Sequence, residues 1–170
     1  MNETIIIERL HPDSQLPQRA TEASAGYDLF AYLTDQTVTC STSGTVVQVS
    51  ARRDGTEAAW LELPPDTTAM VPLGFKARLP VGYEAQIRPR SGTSFKKGLV
   101  IPNAPGTVDA DYPDEWKCLI RNPGPRTVRI EHGERIAQMV LARYEVLGFS
   151  EGKVERTTSR AGGFGSTGSK

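Results

Sequence analysis

What this chain lacks is the first constraint on its fold: no segment repeats apolar residues at helical spacing for long enough to carry a core. Its apolar runs are short, and Gly, Pro, Asp or Ser separates one from the next. Twelve prolines reinforce the point, because a proline inside a helix removes an amide donor and clashes with the preceding turn. The runs read instead as strands, at 4–8, 38–40, 45–50, 59–63, 69–71, 75–79, 83–88, 99–101, 115–121, 127–130 and 136–146. Within 115–120, Trp116, Cys118 and Ile120 alternate with Glu115, Lys117 and Leu119, the period of a half-buried strand. The stretch 135–142 fits both periods, since Ile136, Met139 and Val140 also share a helical face. Many short strands with turn residues between them predict an all-β subunit of the sandwich, jelly-roll or barrel kind.

At 170 residues the chain is long enough for one domain with a full-sized core. It carries 20 Lys plus Arg against 20 Asp plus Glu, so no net field favours nucleic acid or an anionic membrane. A local basic cluster can still hold a phosphate-bearing small molecule. The apolar run at 5–7 is too short for a signal peptide, and nothing approaches the ~20 apolar residues of a membrane span. Cys40 and Cys118 lie far apart without CxxC spacing or clustered histidines, which disfavours zinc and predicts buried, reduced thiols. The expected location is the cytoplasm. His11 and His132 read as ordinary surface histidines.

Several polar stretches carry possible chemistry. In 103–112, N-A-P-G-T-V-D-A-D-Y, Pro105-Gly106 sets a tight turn and Thr107-Val108 looks like strand. Asp109 and Asp111 then share one face of an extended segment, with Tyr112 on the other. Such a pair is either a solvated turn or a site that activates water or holds a metal. Asp28, within 24–31, is either an Asx turn or a buried carboxylate that needs a cation or donors nearby. In 88–98 a strand ends at Pro89, Ser91 is placed to cap a short helix, and Gly98 ends it. Free N–H groups there, beside Arg90, suit an anion, and the same residues suit a plain capped surface helix.

Gln138 interrupts an apolar run, so its amide needs a partner. In 160–168 the glycines let backbone N–H groups converge beside Arg160 and two hydroxyls. That stretch lacks the lysine and strand-to-helix context of a P-loop, and otherwise reads as a terminal linker. Residues 35–60, rich in Thr, Ser and Gly with an Asp54-Gly55 turn signal, read as a long surface hairpin. The Gly/Ser-rich residues 157–170 are expected to stay disordered until a ligand orders them, with Phe164 an aromatic that has no core around it.

In order along the chain these stretches resemble the five motifs of the trimeric dUTP diphosphatases (dUTPases). They are A-G-Y-D-L-F-A at 25–31, R-P-R-S-G at 88–92, the segment 103–112, G-E-R-I-A-Q at 133–138 and R-A-G-G-F-G-S-T-G at 160–168. Each is weak alone; five in the family's order are specific. The resemblance covers nearly the whole chain except roughly 35–60. It implies a jelly-roll-like β domain over 1–156 and a tail, 157–170, that closes over a neighbouring subunit's active site. It further implies a homotrimer with shared sites and Mg²⁺-assisted hydrolysis of dUTP to dUMP and pyrophosphate. That reaction would keep uracil out of DNA and supply dUMP for thymidylate synthesis.

Mapped motif by motif, the resemblance makes Asp109 the residue that orients and deprotonates the water attacking the α-phosphorus. Tyr112 would lie against the deoxyribose, and Asn103 with the backbone around Thr107 and Val108 would read uracil. Arg90, Ser91, Gly92 and Gln138 would hold the phosphates, with Lys117 bordering the nucleotide. Asp28 would contact Mg²⁺ through water. Phe164 would cover uracil, with Arg160, Gly165, Ser166 and Thr167 among the tail residues that bind substrate. Two departures stand out: Pro113-Asp114 replaces the family's usual Arg-Gly, and 35–60 exceeds the common bacterial length. A protein partner at that hairpin is a hypothesis. The competing readings are a dCTP deaminase, which shares the fold, and a non-catalytic β sandwich; Asp109 and Tyr112 in their motif positions favour phosphate-ester chemistry.

Overall fold

Strand order sorts the chain into two principal sheets, in a computed structural model that describes residues 3–53, 55 and 59–159. The five-stranded sheet runs β10 (Gly106–Val108), β9 (Tyr83–Arg88), β13 (Arg135–Arg143), β3 (Tyr27–Phe30), β2 (Gln18–Arg19). The four-stranded sheet runs β11 (Lys117–Asn122), β7 (Thr67–Pro72), β4 (Thr37–Thr42), β5 (Thr45–Ser50). Two-stranded ribbons, β1 (Ile6–Arg9) with β8 (Phe75–Arg78) and β12 (Val128–Glu131) with β6 (Trp60–Leu63), complete the set. Every pairing is antiparallel. The single α-helix among the described residues is α1 (Ser91–Lys97). Among the described residues no helix is long and apolar enough to cross a membrane.

Alternation builds one core. Val38 and Cys40 of β4, Ala69 and Val71 of β7, and Cys118 and Ile120 of β11 all point inward, as do Ala85 and Ile87 of β9 and Ile136 and Met139 of β13. Trp116 packs on Phe75 with ring centroids 5.4 Å apart. Both thiols are free and buried, and desolvation raises Cys40 and pushes Cys118 up to about 12. Asn122 is one of four buried polar residues among those described, with Ser14, Thr67 and Thr93. Its amide donates to the carbonyls of Leu63 and Arg126, both at 2.8 Å, and its carbonyl accepts from Gly124 N–H at 3.0 Å, so no buried polar atom of it is unpaired.

The ambiguous stretch 135–142 is strand, because β13 pairs with β3 on one edge and β9 on the other. Strands β2 and β3 are absent from the sequence-based set; they are short and lie in polar motif stretches, so alternation had too few residues to register, whereas β10 is the strand expected at Thr107-Val108. The expected strand at 99–101 reduces to a bridge between Val100 and Arg121. In 35–60, the tight hairpin turn lies at Ser43-Gly44, both at positive φ, as a two-residue hairpin loop requires. Gly55 falls instead in a wider connection closed by the Arg52–Trp60 bridge, and Asp54 lies outside the described residues.

His132 is not the surface histidine the sequence suggested. Its Nδ1 accepts the backbone N–H of Leu33 at 3.1 Å, and Tyr32 lies edge-on to its ring at 5.1 Å. Tyr32 also stacks on His11 at 4.2 Å and donates to Asp13 at 3.1 Å, so both histidines tie the 11–14 loop to the start of the β3–β4 connection. Desolvation lowers the His132 pKa, against the attraction of Asp13 and with the help of Arg53. The unfolded chain, titrating near pH 6.5, therefore binds this proton more readily than the folded one. The corresponding stability is complete above about pH 6.5 and is lost as pH falls through and below it. Denaturant midpoints measured near pH 7.5 and 5.5 should fall with pH in the wild type. His132→Phe, which cannot titrate, should start lower at the higher pH and lose less on acidification.

Candidate active site

The anion-facing end of the site begins where β9 stops. Pro89 has no N–H to continue the ladder, and Arg90 takes an extended conformation (φ −97°, ψ 136°) as the N-cap of α1. Ser91 is thus the first helical residue and not the cap, and no side chain caps the helix. Gly98, in the left-handed region at φ 67°, closes the helix with its N–H on Ser94 O. Side chains strap this seven-residue helix down. Thr93 Oγ1 donates to Arg135 O at 3.2 Å, and Lys97 Nζ reaches Glu134 at 2.6 Å and Arg129 O at 2.7 Å.

Asp28, on β3, sits between two arginines. Arg90 Nε donates to its Oδ1 at 2.7 Å, and Arg135 Nη1 reaches its Oδ2 at 3.3 Å. The Asp28 side chain is 14% exposed and that of Arg90 25%, so this contact is partly shielded from water. Arg90 Nη1 donates in addition to Arg135 O at 3.2 Å, which fixes the plane of its guanidinium. Gln138 stands on β13 opposite both Asp28 and Arg88, and its Nε2 donates to Pro89 O at 2.9 Å. Arg90, Ser91, Gly92, Gln138 and Asp28 are therefore brought together at one end of the sheet. Arg135 belongs with them and went unassigned in the sequence; its signal was its place in the motif that carries Gln138. A cleft of about 420 Å³ lined by Arg88, Pro89, Ala104, Pro105 and Gln138 opens beside them.

The other group lies along β10. Gly106 pairs with Ile87, Thr107 with Gln86 and Val108 with Ala85. A Cβ on Gly106 would come 2.9 Å from Asn103 Nδ2, so the glycine lets the Asn103 amide fold back over the strand. After Val108 the chain turns, with Tyr112 N–H on Asp109 O at 3.3 Å and Leu79 N–H on Ala110 O at 3.3 Å. Asp109 is exposed, and its carboxylate makes no hydrogen bond or ion pair among the described residues. Tyr112 is 39% exposed and borders a groove of about 420 Å³ shared with Ile6, Ala77, Asp111 and Pro113. Lys117 begins β11, exposed and paired with Pro72.

These two groups are separated by the strand they share. Val108 faces Ala85 near the start of β9, whereas Ser91 follows its end, six residues beyond Ala85. At ~3.3 Å per residue the three strand intervals from Ala85 to Arg88 span about 10 Å before the chain turns at Pro89 into α1.

A sequence profile of the dUTPase family matches residues 56–168, two thirds of the chain. The chain belongs to the dUTPase family. A deoxyuridine 5'-triphosphate nucleotidohydrolase from Rickettsia typhi is 41% identical over 154 residues, covering 90% of this chain and 88% of that protein. One from Rhizobium leguminosarum bv. trifolii is 50% identical over 113 residues, 66% of this chain and 72% of its own length. In fold, the chain resembles the dUTPase of Staphylococcus bacteriophage 80alpha solved with dUpNHpp, at a TM-score of 0.74 and 23% identity over 99% of both chains. The chain is thus a hydrolase of nucleotide metabolism, on the all-β fold that its turn-rich sequence predicts.

The dUTPase tail residues Arg160, Phe164, Gly165, Ser166 and Thr167 lie outside the described residues. No cluster of three or more His, Cys, Asp or Glu among the described residues makes a metal cage. Both Asp28 oxygens accept from arginines, so Asp28 fits a metal only as an outer partner through water, with the remaining ligands from phosphates and water, as Mg²⁺ prefers. Asp28→Asn should destabilise the fold by about 1–3 kcal/mol, because it removes a charge from two arginine contacts. Arg135→Gln should cost less, its side chain being 55% exposed against 25% for Arg90. Urea unfolding of the two variants measures the difference.

Proposed function

We propose that this dUTPase hydrolyses dUTP to dUMP and pyrophosphate at sites shared between the subunits of a cytoplasmic homotrimer. The observation that supports this is the arrangement along β9, with Asp109 and Tyr112 toward one end and Ser91, Gly92 and Gln138 at the other. The exposure of both groups also supports a shared site.

In the assembled site Asp109 orients a water toward the α-phosphorus and takes its proton. Its carboxylate has no competing partner among the described residues, and a carboxylate is by nature a weak base. Positioning and charge neutralisation must therefore supply most of the rate. Arg90, held by Asp28, and the N–H groups of Ser91 and Gly92 serve that role, and Gln138 helps to hold the bound phosphates. Asp28 would hold Mg²⁺ through water, and the ion would supply further neutralising charge to the phosphates. Asn103 and the backbone at Thr107 and Val108 pair with the uracil edge, where a swap of donor for acceptor, as in cytosine, leaves buried groups unmatched. Tyr112 packs on the deoxyribose and leaves no room for a 2′-hydroxyl, and Lys117 borders the nucleotide. The tail of a neighbouring subunit, with Phe164 on uracil and Arg160, Gly165, Ser166 and Thr167 at the phosphates, closes the site and excludes water.

Pyrophosphate release from dUTP, compared with UTP, dCTP and dTTP in Mg²⁺, tests the activity; equal turnover of dCTP or UTP would overturn the assignment of uracil and sugar reading. Asp109→Asn should lower kcat by about 10²–10⁴ with substrate binding retained. Mixing and refolding Asp109→Asn subunits with subunits truncated after Ser159 tests sharing directly. Random reassortment should return about a quarter of the wild-type activity per site, and a site built within one chain would return none. Truncation after Ser159 should abolish most activity and leave the oligomer intact, as size-exclusion chromatography with light scattering will report.

A further inference from the structure

We propose that Gly26 is a positioning residue for catalysis, holding the Gln138 amide against the loop that binds phosphate. The proposal rests on Gln138 being a phosphate ligand, as argued above. A Cβ built on Gly26 would fall inside the contact radius of Gln138 Oε1 and 3.2 Å from its Cδ, yet an unstrained 3.5 Å from its Cβ. The conflict is thus with the amide head, not with the strand that carries it. Backbone conformation does not require glycine here, because Gly26 is not among the residues with positive φ. Gly92, in the phosphate motif itself, contrasts with it: a Cβ there meets nothing within 4 Å.

The space left by Gly26 decides what the amide can do. Gln138 fills it with Oε1, which turns Nε2 toward Pro89 O at 2.9 Å, and Pro89 leads directly into Arg90, Ser91 and Gly92. One N–H of Nε2 is used on Pro89, and the other remains for a ligand. A side chain at 26 would push the amide out of this rotamer, break the Pro89 contact and release both the ligand N–H and the loop. Two strands from β9, Gly26 reaches the substrate only through Gln138.

The test is a double-mutant cycle with dUTP, read as KM, kcat and melting temperature. Gly26→Ala alone should raise KM about tenfold and change kcat by less than about twofold, because the lost contact serves bound substrate and transition state alike. Added to Gln138→Ala, the same substitution should change KM by less than about twofold, since no amide remains to strike. Melting should follow: Gly26→Ala lowers the transition in the wild-type background and not in Gln138→Ala. Wild-type KM in Gly26→Ala, or an equal loss in both backgrounds, overturns the proposal. If Gly26→Ala does not fold, recovery of a folded protein in the double variant supports the contact, and failure of both overturns it. If the wild type does not hydrolyse dUTP, the functional reading falls by itself, while the melting cycle still decides whether Gly26 acts through Gln138.

Discussion

Strand β9 is the constraint on which the site depends. Both of its edges are occupied, β10 on one and β13 on the other. Register on β10 fixes where Asn103 and Asp109 lie, and register on β13 fixes where Gln138 lies. A slip of one residue in either ladder would send these side chains to the opposite face. Buried Ala85 and Ile87, alternating with Glu84, Gln86 and Arg88, prevent that slip, because any other register would expose the core face. The same strand that sets the geometry also separates the chemistry, since its length holds the two candidate groups apart.

Electrostatics within the chain are local and compensated. The sequence is neutral overall, yet Arg90 and Arg135 gather on one carboxylate while their remaining N–H groups stay available at the edge of the sheet. Asp28 thus holds the candidate anion-binding arginines in place, an order that would reduce the reorganisation left for binding an anion. Lys97 and Glu134 do similar work for α1: the ion pair, with Thr93 on Arg135 O, joins the helix to the turn between β12 and β13. A seven-residue helix has little stability of its own and depends on such straps.

Much of this was legible in the residues. Alternation in 115–120 gave β11 to within its first residues, and Gly98 marked the end of α1. Pro89 marked the end of β9. Other features were not legible. Ser91 looked like a cap, but the chain enters the helix through Arg90, whose side chain is committed to Asp28 sixty-two residues away. Asn122 and His132 gave no local sign of their roles, because their partners, Leu63, Arg126 and Leu33, are fixed by strand pairing and not by neighbouring sequence. Gly26 was legible only as part of a motif; the reason for a glycine there exists once Gln138 stands beside it.

By itself the sequence determined the all-β class, through short runs and frequent breakers, and the family, through motif residues in order. Both are properties of the chain read one segment at a time. Tertiary structure decided what those residues do to one another. It put Asp28 between two arginines, turned the Gln138 amide onto Pro89, and set Asp109 at the far end of β9 from Ser91. Such relations depend on which strands are neighbours, and strand neighbours are chosen by burial of the whole core, to which every element contributes.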